Sequence, residues 1–402
     1  MSTRERRERS NESDLFLSQL FHNAAQTQGG TNSGKEISLA AVGGYGRGEL
    51  SPGSDLDIVF LHSGKVSPEN LKTFVNEVLY PLWDTKSVDH SVRTRSETRE
   101  AASADLRVAT GLLDIRYIAG NPDLVSAVQA DALDFWRKNA KENLSHLHES
   151  LEQRHSRAGE LAYLLEPDLK EARGGLRDIQ ALRAISLSGA VQVPLEKISW
   201  AEGTLNNVRE SLHIASGRGK DRLLFQEQDK VAELLNYPDA DAMMSDVARA
   251  ARSVDYLLNY TWHSLEHKSR DVFGRLSKKG RVTSVAKNVS ASNREILIDP
   301  LVSLDEDPVV GLRAAATAAQ LGLPLSLDSF TSLAEKLKKG EGALTNPWPR
   351  EARELLIALI GAGESMVDIF ETLDQEEIIF QWIPEWMSVR SLPQRNALHR
   401  HT

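Results

Sequence analysis

The stretch "AVGGYGRGELSPGSDLDIVFL", Ala41–Leu61, decides how this chain is read. Gly43 and Gly44 open it, and two aspartates, Asp55 and Asp57, stand one residue apart at the head of an apolar run. In a strand, residues i and i+2 point to the same face. Asp55 and Asp57 should therefore project together while Leu56 and Ile58 point the other way. Two adjacent carboxylates repel each other unless a cation lies between them. Mg²⁺ fits that place, because it takes one or two carboxylates and completes its octahedron with water and substrate phosphates. The glycines suit the same task. Gly43 and Gly44 let the backbone approach a phosphate closely, and a short helix near Arg47–Leu50 would turn free N–H groups toward an anion. A triphosphate held there would share its Mg²⁺ with Asp55 and Asp57, with Ser54 offering a hydroxyl and Arg47 a positive charge. Taken singly, a Gly pair after a strand is a turn and a lone Asp is a solvated side chain. Strand, Gly-Gly, short helix, Ser-Asp-x-Asp and apolar strand in one short stretch form a specific pattern.

The rest of the chain sets bounds on that reading. A length of 402 residues predicts two or three domains. With 41% hydrophobic and 26% charged residues, wholesale disorder is excluded. A net charge of -9 argues against a nucleic-acid partner, whose phosphates are bound by Lys and Arg. The absence of cysteine excludes disulfides and thiolate metal sites. The start "MSTRERRERSNESD" has no apolar core and is unlike a signal peptide. No apolar run approaches the ~18 residues of a membrane span. Together these predict a cytoplasmic protein with neither a membrane nor a nucleic-acid partner.

Residues 1–12 read as a solvated leader and Asp14–Gln26 as a helix, followed by a flexible loop over Thr27–Glu36. Strands are predicted at Ile37–Gly43, Asp55–His62 and Ser87–Thr94. Between the last two lies a helix over Ser67–Asp84, with Ser67 as its N-cap and Pro68 at its first position. The resulting α/β module ends near residue 125. Leu133–Leu165 then reads as one long periodic helical segment, broken at Glu166–Ile185 by Pro and a Gly pair among charges. Further helices are expected at Thr204–Ser216, Leu224–Asn236 and Ala242–His267, weak strand over Arg281–Pro300, and helix again over 305–402 except at Lys338–Glu351. The organisation reads as 1–36 leader and helix, 37–125 α/β domain, 126–300 helical domain, and 301–402 helical connector.

The segment "GGYGRGELSPGSDLD" resembles the signature of the nucleotidyltransferase superfamily that includes DNA polymerase beta. Within that superfamily it is most similar to the bifunctional PII uridylyltransferase/uridylyl-removing enzymes. "LWDTKSVDHSVRT" (Leu82–Thr94), "DLRVATGLLDIRYIAGNPDL" (Asp105–Leu124) and "EPDLKEARGGLRDIQAL" (Glu166–Leu182) resemble further blocks of that family. The likeness runs from about Glu36 to the C-terminus and thins across 190–300. It implies a DNA polymerase beta-like α/β domain followed by mostly α-helical domains. The implied reaction is attack of an acceptor oxygen on the α-phosphate of a nucleoside triphosphate, in line between two Mg²⁺ ions, with pyrophosphate leaving.

The resemblance also implies a third carboxylate on a neighbouring strand. Asp89 in "SVDHSVRT" is assigned to it, giving Asp55, Asp57 and Asp89 as catalytic and metal-binding residues. Asp84, or no third carboxylate, is the alternative. An aspartate at this position resembles the actinobacterial branch. Arg93 falls on the same face as Asp89 and would contact phosphate or acceptor, or else form a surface ion pair. "KEARGGLRD" brings Lys170, Arg173, Arg177 and Asp178 around a Gly pair. Lys170 and Arg177 would bind nucleotide there, unless the segment is a turn with solvated charges.

The implied acceptor is a tyrosine of the PII nitrogen-signalling protein. Relatives transfer UMP, and the actinobacterial members are associated with AMP, so the donor is UTP or ATP. Other acceptors fit the same chemistry: a tRNA end, an antibiotic hydroxyl or a tyrosine of glutamine synthetase. The alternative of another class is a non-catalytic nucleotide-binding sensor, which would have no use for a repelling carboxylate pair. The sequence stops at "LHRHT", where the family's HD phosphohydrolase domain would start. It reads as an engineered N-terminal fragment without the HD and ACT domains. Trp382, Pro384 and Trp386 would then pack where the next domain docks, and His399 and His401 would be solvated.

Overall fold

A computed structural model describes residues 3–27, 33–83, 87–273, 282–292 and 294–392. These residues fall into two compact units, one running up to Thr261 and one over Trp262–Leu392.

The first unit opens with helix α1 (Thr3–Thr27) and a single turn, α2 (Ser33–Glu36), that leads into β1 (Ile37–Ala41). A second single turn, α3 (Gly43–Gly46), and a loop connect β1 to β2 (Leu56–His62). Then come α4 (Pro68–Trp83), β3 (Val88–Thr94), α5 (Arg95–Ala104), α6 (Leu106–Leu112) and β4 (Arg116–Gly120). The sheet order is β3-β2-β1-β4. β1 is antiparallel to β2 and to β4, whereas β3 lies parallel to β2. Leu17 and Phe21 of α1 and Phe74, Val78 and Leu82 of α4 bury Leu39, Leu56, Ile58 and Phe60 of the sheet. Helix α4 starts where its sequence dictates: Asn70 N–H donates to Ser67 Oγ at 3.4 Å, and Pro68 needs no amide partner. Helix α5 begins on a capping box formed by Thr94 and Glu97.

Residues 3–12 of the expected solvated leader are helical and partly buried. Helix α1 starts at Thr3, and Arg6, Ser10 and Ser13 are buried. Arg6 Nη1 donates to Glu210 Oε2 at 3.1 Å, while Arg9 pairs with the same carboxylate and donates to the Leu50 carbonyl at 3.0 Å. A charged side chain is buried only with a partner, and a partner two hundred residues away leaves no periodic trace. The short "RYIAG" segment supplies a fourth strand that the pattern did not show. The short helix also sits earlier than expected, on the glycines of α3 rather than at Arg47–Leu50.

The stretch 133–165 is not one helix. It is shared by α7 (Pro122–Lys138) and α8 (Ala140–Ala158), parted at Asn139 (φ −104, ψ 24), and a 3₁₀ turn over Leu161–Tyr163. At the break, the Asn139 and Asn143 side-chain amides donate to the carbonyls of Phe135 (3.0 Å) and Trp136 (3.3 Å). Helices α9 (Leu176–Ser188), α10 (Ser199–Ser216), α11 (Phe225–Leu234) and α12 (Ala240–Phe273) follow.

The second unit holds the antiparallel strands β5 (Thr283–Ala286), β6 (Val289–Ser292) and β7 (Glu295–Ile298), which the sequence grouping set with the 126–300 domain. Its helices are α13 (Val310–Leu321), α14 (Leu327–Lys338), α15 (Arg350–Ile360), α16 (Ser365–Gln375) and α17 (Ile379–Trp382). Trp382 is buried in this unit's own core, where a Cβ on Gly311 would stand 2.9 Å from its ring. Trp386 stacks edge-on with Phe370, and its indole N–H donates to Asp374 Oδ1 at 2.8 Å. Trp382 is thus buried within this unit, whereas Trp386 is half-buried and Pro384 exposed. Among the described residues, no helix is long and apolar enough to cross a membrane. Asp84, His399, His401 and the loop glycines Gly29 and Gly30 lie outside the described residues.

Candidate active site

The end of β1 and the start of β2 are tied together where Val42 N–H donates to the Asp57 carbonyl at 3.0 Å. Gly43 follows with φ +56, a conformation that favours glycine, and a Cβ there would stand 3.4 Å from Asp57 Oδ2. The glycine turn is clamped from both sides. Tyr45 is buried and its hydroxyl donates to Asp14 Oδ1 at 2.7 Å. Arg116, paired with Asp14, donates to the carbonyls of Gly46 (3.0 Å) and Tyr45 (3.1 Å). Helix α1 and strand β4 thus hold the turn that lies against Asp57.

Strand β2 sends Leu56 and Ile58 into the core, leaving Asp57 half-buried on the opposite face and Asp55 exposed just before the strand. The parallel register sets Asp57 opposite Asp89. Burial first, and then the charges of Asp89 and Asp55, push the Asp57 carboxyl above the ordinary carboxylate range, while Lys170 and Arg47 pull it back. Among the described residues, no three Asp, Glu or His side chains close into a ready-made metal cage. The donor chemistry nevertheless suits a hard cation: carboxylate oxygens only, with a half-buried anion beside two like charges that a cation would relieve. A cation that keeps water and takes phosphate oxygens needs no closed protein cage.

The other assigned residues fare differently. Ser54 N–H closes a turn on the Ser51 carbonyl at 3.0 Å, which leaves the side chain partly exposed beside Asp55. Arg47 is engaged through two of its nitrogens, while its Nη2 would lie 3.8 Å from a Cβ on Gly44. Its Nε donates to Glu49 Oε2 at 2.8 Å, its Nη1 pairs with Asp114, and Glu49 is held in turn by Arg183 at 2.9 Å. Arg93 shares the Asp89 face, but four residues at ~3.3 Å each put it ~13 Å along the strand, where its charge acts on Glu97. The charge of Lys170 acts on Asp57. Arg177 donates to Glu171 Oε1 at 2.7 Å.

The Gly pair of "KEARGGLRD" has a packing role. Gly174 has φ +84, and a Cβ there would stand 2.5 Å from the Ala251 carbonyl of α12. A Cβ on Gly175 would stand 2.7 Å from the Ala172 carbonyl. These glycines seat the turn on α12 and do not open backbone to a phosphate. Arg173 pairs with Asp255 at 2.6 Å. Asp178 is fully buried and accepts from Arg154, from His155 at 2.9 Å and from Gly174 N–H at 2.6 Å.

A nucleotidyltransferase-domain family model matches residues 30–107, and a GlnD PII-uridylyltransferase model matches 142–188 and 194–262. The bifunctional uridylyltransferase/uridylyl-removing enzyme of Streptomyces coelicolor is 42% identical over 97% of this chain and 47% of its own length. That of Mycobacterium tuberculosis is 34% identical over 97% and 48%, and that of Cereibacter sphaeroides 30% over 92% and 42%. The chain is a homologue of the bifunctional uridylyltransferase/uridylyl-removing enzymes.

It spans about half the length of these curated relatives. In this uridylyltransferase homologue, the nucleotidyltransferase match contains the glycine turn and all three carboxylates, while the PII-uridylyltransferase match contains Lys170. The second match also contains a cluster that sequence reasoning missed. Asp221 accepts from Arg209 Nε at 2.6 Å and from His213 Nε2 at 2.9 Å, and its Oδ2 lies 3.9 Å from Lys170 Nζ. Burial pushes the Asp221 carboxyl up, but the His213 and Arg209 hydrogen bonds and Lys170 outweigh it and hold it at about 2. The only trace in sequence is the Gly-rich turn "SGRGKDR". Nothing in that turn announces that it lands beside the Asp55 loop.

Proposed function

We propose that this chain carries the nucleotidyl-transfer site of a PII uridylyltransferase. It moves a nucleoside monophosphate from a nucleoside triphosphate to a tyrosine hydroxyl of the PII protein and releases pyrophosphate. The observation that carries the reading is the register of Asp57 against Asp89, with Asp55 alongside, next to a glycine turn. The names of the relatives favour UTP as donor, and ATP is the alternative. Acceptor and donor are both soluble molecules, so the reading needs neither a membrane nor a nucleic acid.

Asp55, Asp57 and Asp89 would hold Mg²⁺. Once bound, the ion supplies charge neutralisation and Lewis-acid activation at the phosphoryl oxygens. The protein's own part is positioning and proton movement. Gly43 and Gly44 leave room for the triphosphate beside Asp57, and Lys170 offsets its negative charge. Asp89, exposed on the edge strand, takes the proton of the acceptor hydroxyl. The acceptor oxygen forms its bond to the α-phosphorus as the bond to the bridging oxygen breaks, and pyrophosphate carries that electron pair away.

The test is to incubate the full chain with Mg²⁺, PII from the same source and either UTP or ATP, and to read the intact mass of PII. A gain of one UMP or one AMP supports the reading and selects the donor. No gain with either, while triphosphate still binds, overturns PII as the acceptor and moves the test to glutamine synthetase.

A further inference from the structure

We infer that Asp221 is a positioning residue that aims Lys170 at the triphosphate, so that the helical part of the first unit sets the charge facing the carboxylates. The inference rests on the proposed transfer reading and deepens it.

Two independent sets of contacts carry it. The first joins Asp221 to Lys170. Leu169 N–H donates to the Asp221 carbonyl and Leu223 N–H to the Pro167 carbonyl, both at 2.9 Å. The segment bearing Lys170 is therefore zipped to the segment bearing Asp221 on either side of the ion pair. The second set joins Asp221's loop to the carboxylate loop. A Cβ on Gly219 would stand 2.1 Å from the Gly53 carbonyl, and one on Gly53 would stand 2.6 Å from Gly219 Cα. Arg209, which holds Asp221, also donates through Nη1 to Ser51 Oγ at 3.1 Å. Ser51 and Gly53 lead directly into Ser54 and Asp55. The loop that anchors Lys170 thus rests on the loop that carries the carboxylates.

The ranking of Asp221's partners argues for function. Arg209 and His213 are hydrogen-bonded to it and almost wholly buried, so they alone fix and satisfy the carboxylate. Lys170 is the loose member. Its side chain is one-third exposed and its ammonium stands at 3.9 Å, beyond hydrogen-bonding distance. A cation held in place by charge, but not bonded, can turn to a stronger anion at little cost. A triphosphate beside Asp57 is such an anion.

The experiment measures binding of Mg-UTP and Mg-ATP to the full chain by calorimetry, without acceptor. Lys170→Met should weaken the bound triphosphate about tenfold, the ordinary worth of one charge-assisted contact. Asp221→Asn should weaken it about threefold to tenfold. The double variant should be no weaker than Lys170→Met alone, because the effect of Asp221 passes through Lys170. Asp255→Asn loosens the same segment through Arg173 and should leave affinity unchanged within about twofold. If Asp221→Asn does not fold, Asp221→Glu carries the test. Moving the anion by one methylene should weaken binding about threefold, and not at all in a Lys170→Met background. Additive losses, or an equal loss from Asp255→Asn, overturn the inference and leave the transfer reading standing. A wild-type chain that binds neither triphosphate overturns both.

Discussion

Asp57 and Asp89 face each other across the parallel β2–β3 pair, a carboxylate against a carboxylate with Asp55 next to them. Such a pair is unfavourable in the free protein and useful only with a cation. Asp89→Asn should therefore have opposite effects on stability and activity. It should raise the melting temperature of the nucleotide-free chain by about 1–2 °C and lower nucleotidyl transfer roughly 10²–10³-fold. Melting curves and PII mass spectrometry on one preparation would show both. A fall in melting temperature would mean that Asp89 is held by attraction.

Arg47 predicts a loss of stability. Removing its guanidinium leaves Glu49 and Asp114, both mostly buried, with a lost partner. Arg47→Gln should cost about 3 kcal/mol in denaturant unfolding, and adding Asp114→Asn should return part of it. An unchanged unfolding midpoint would return Arg47 to the triphosphate.

Acid should reveal Asp221. Its folded value of about 2 lies below the ordinary 3.8, so its contribution is present above 3.8 and is lost as pH falls toward 2. The stability gap between wild type and Asp221→Asn should be on the order of 2 kcal/mol near neutrality and close across that window. Asp57 has the opposite sign. Its raised value gives a contribution that is complete below 3.8 and lost as pH rises through the raised value. Asp57→Asn should remove that loss from a pH series of unfolding curves.

Deleting residues 1–12 should cost about 3–5 kcal/mol, because Glu210, only 1% exposed, would lose Arg6 and Arg9 together. Circular-dichroism melting checks this. A truncated chain as stable as the full one would show that the pairing contributes nothing.

The carboxylate site was legible because it is local. Asp55 and Asp57 sit on one strand beside their glycines, and Asp89 follows after a single helix on a strand with clear alternation. The errors share another cause. "RERRERSNESD" buries charge by pairing with Glu210, and "GRGKDR" places Asp221 against Lys170, so in both cases the partner lies far along the chain. A glycine needed for close packing, as Gly174 is on Ala251, and a glycine needed for phosphate access look alike in one dimension. Asn139 ended a helix without Pro or Gly, so the periodic pattern ran past it.

The meeting of Gly53 with Gly219 has a consequence for how this site can vary. Backbone lies on backbone there, and no side chain on either loop serves as a spacer. The gap between the carboxylates and the lysine anchor is therefore set by backbone contact at these two glycines, with no side chain there to trim. One methyl group at either position would act as a wedge, shifting the whole anchor relative to the carboxylates.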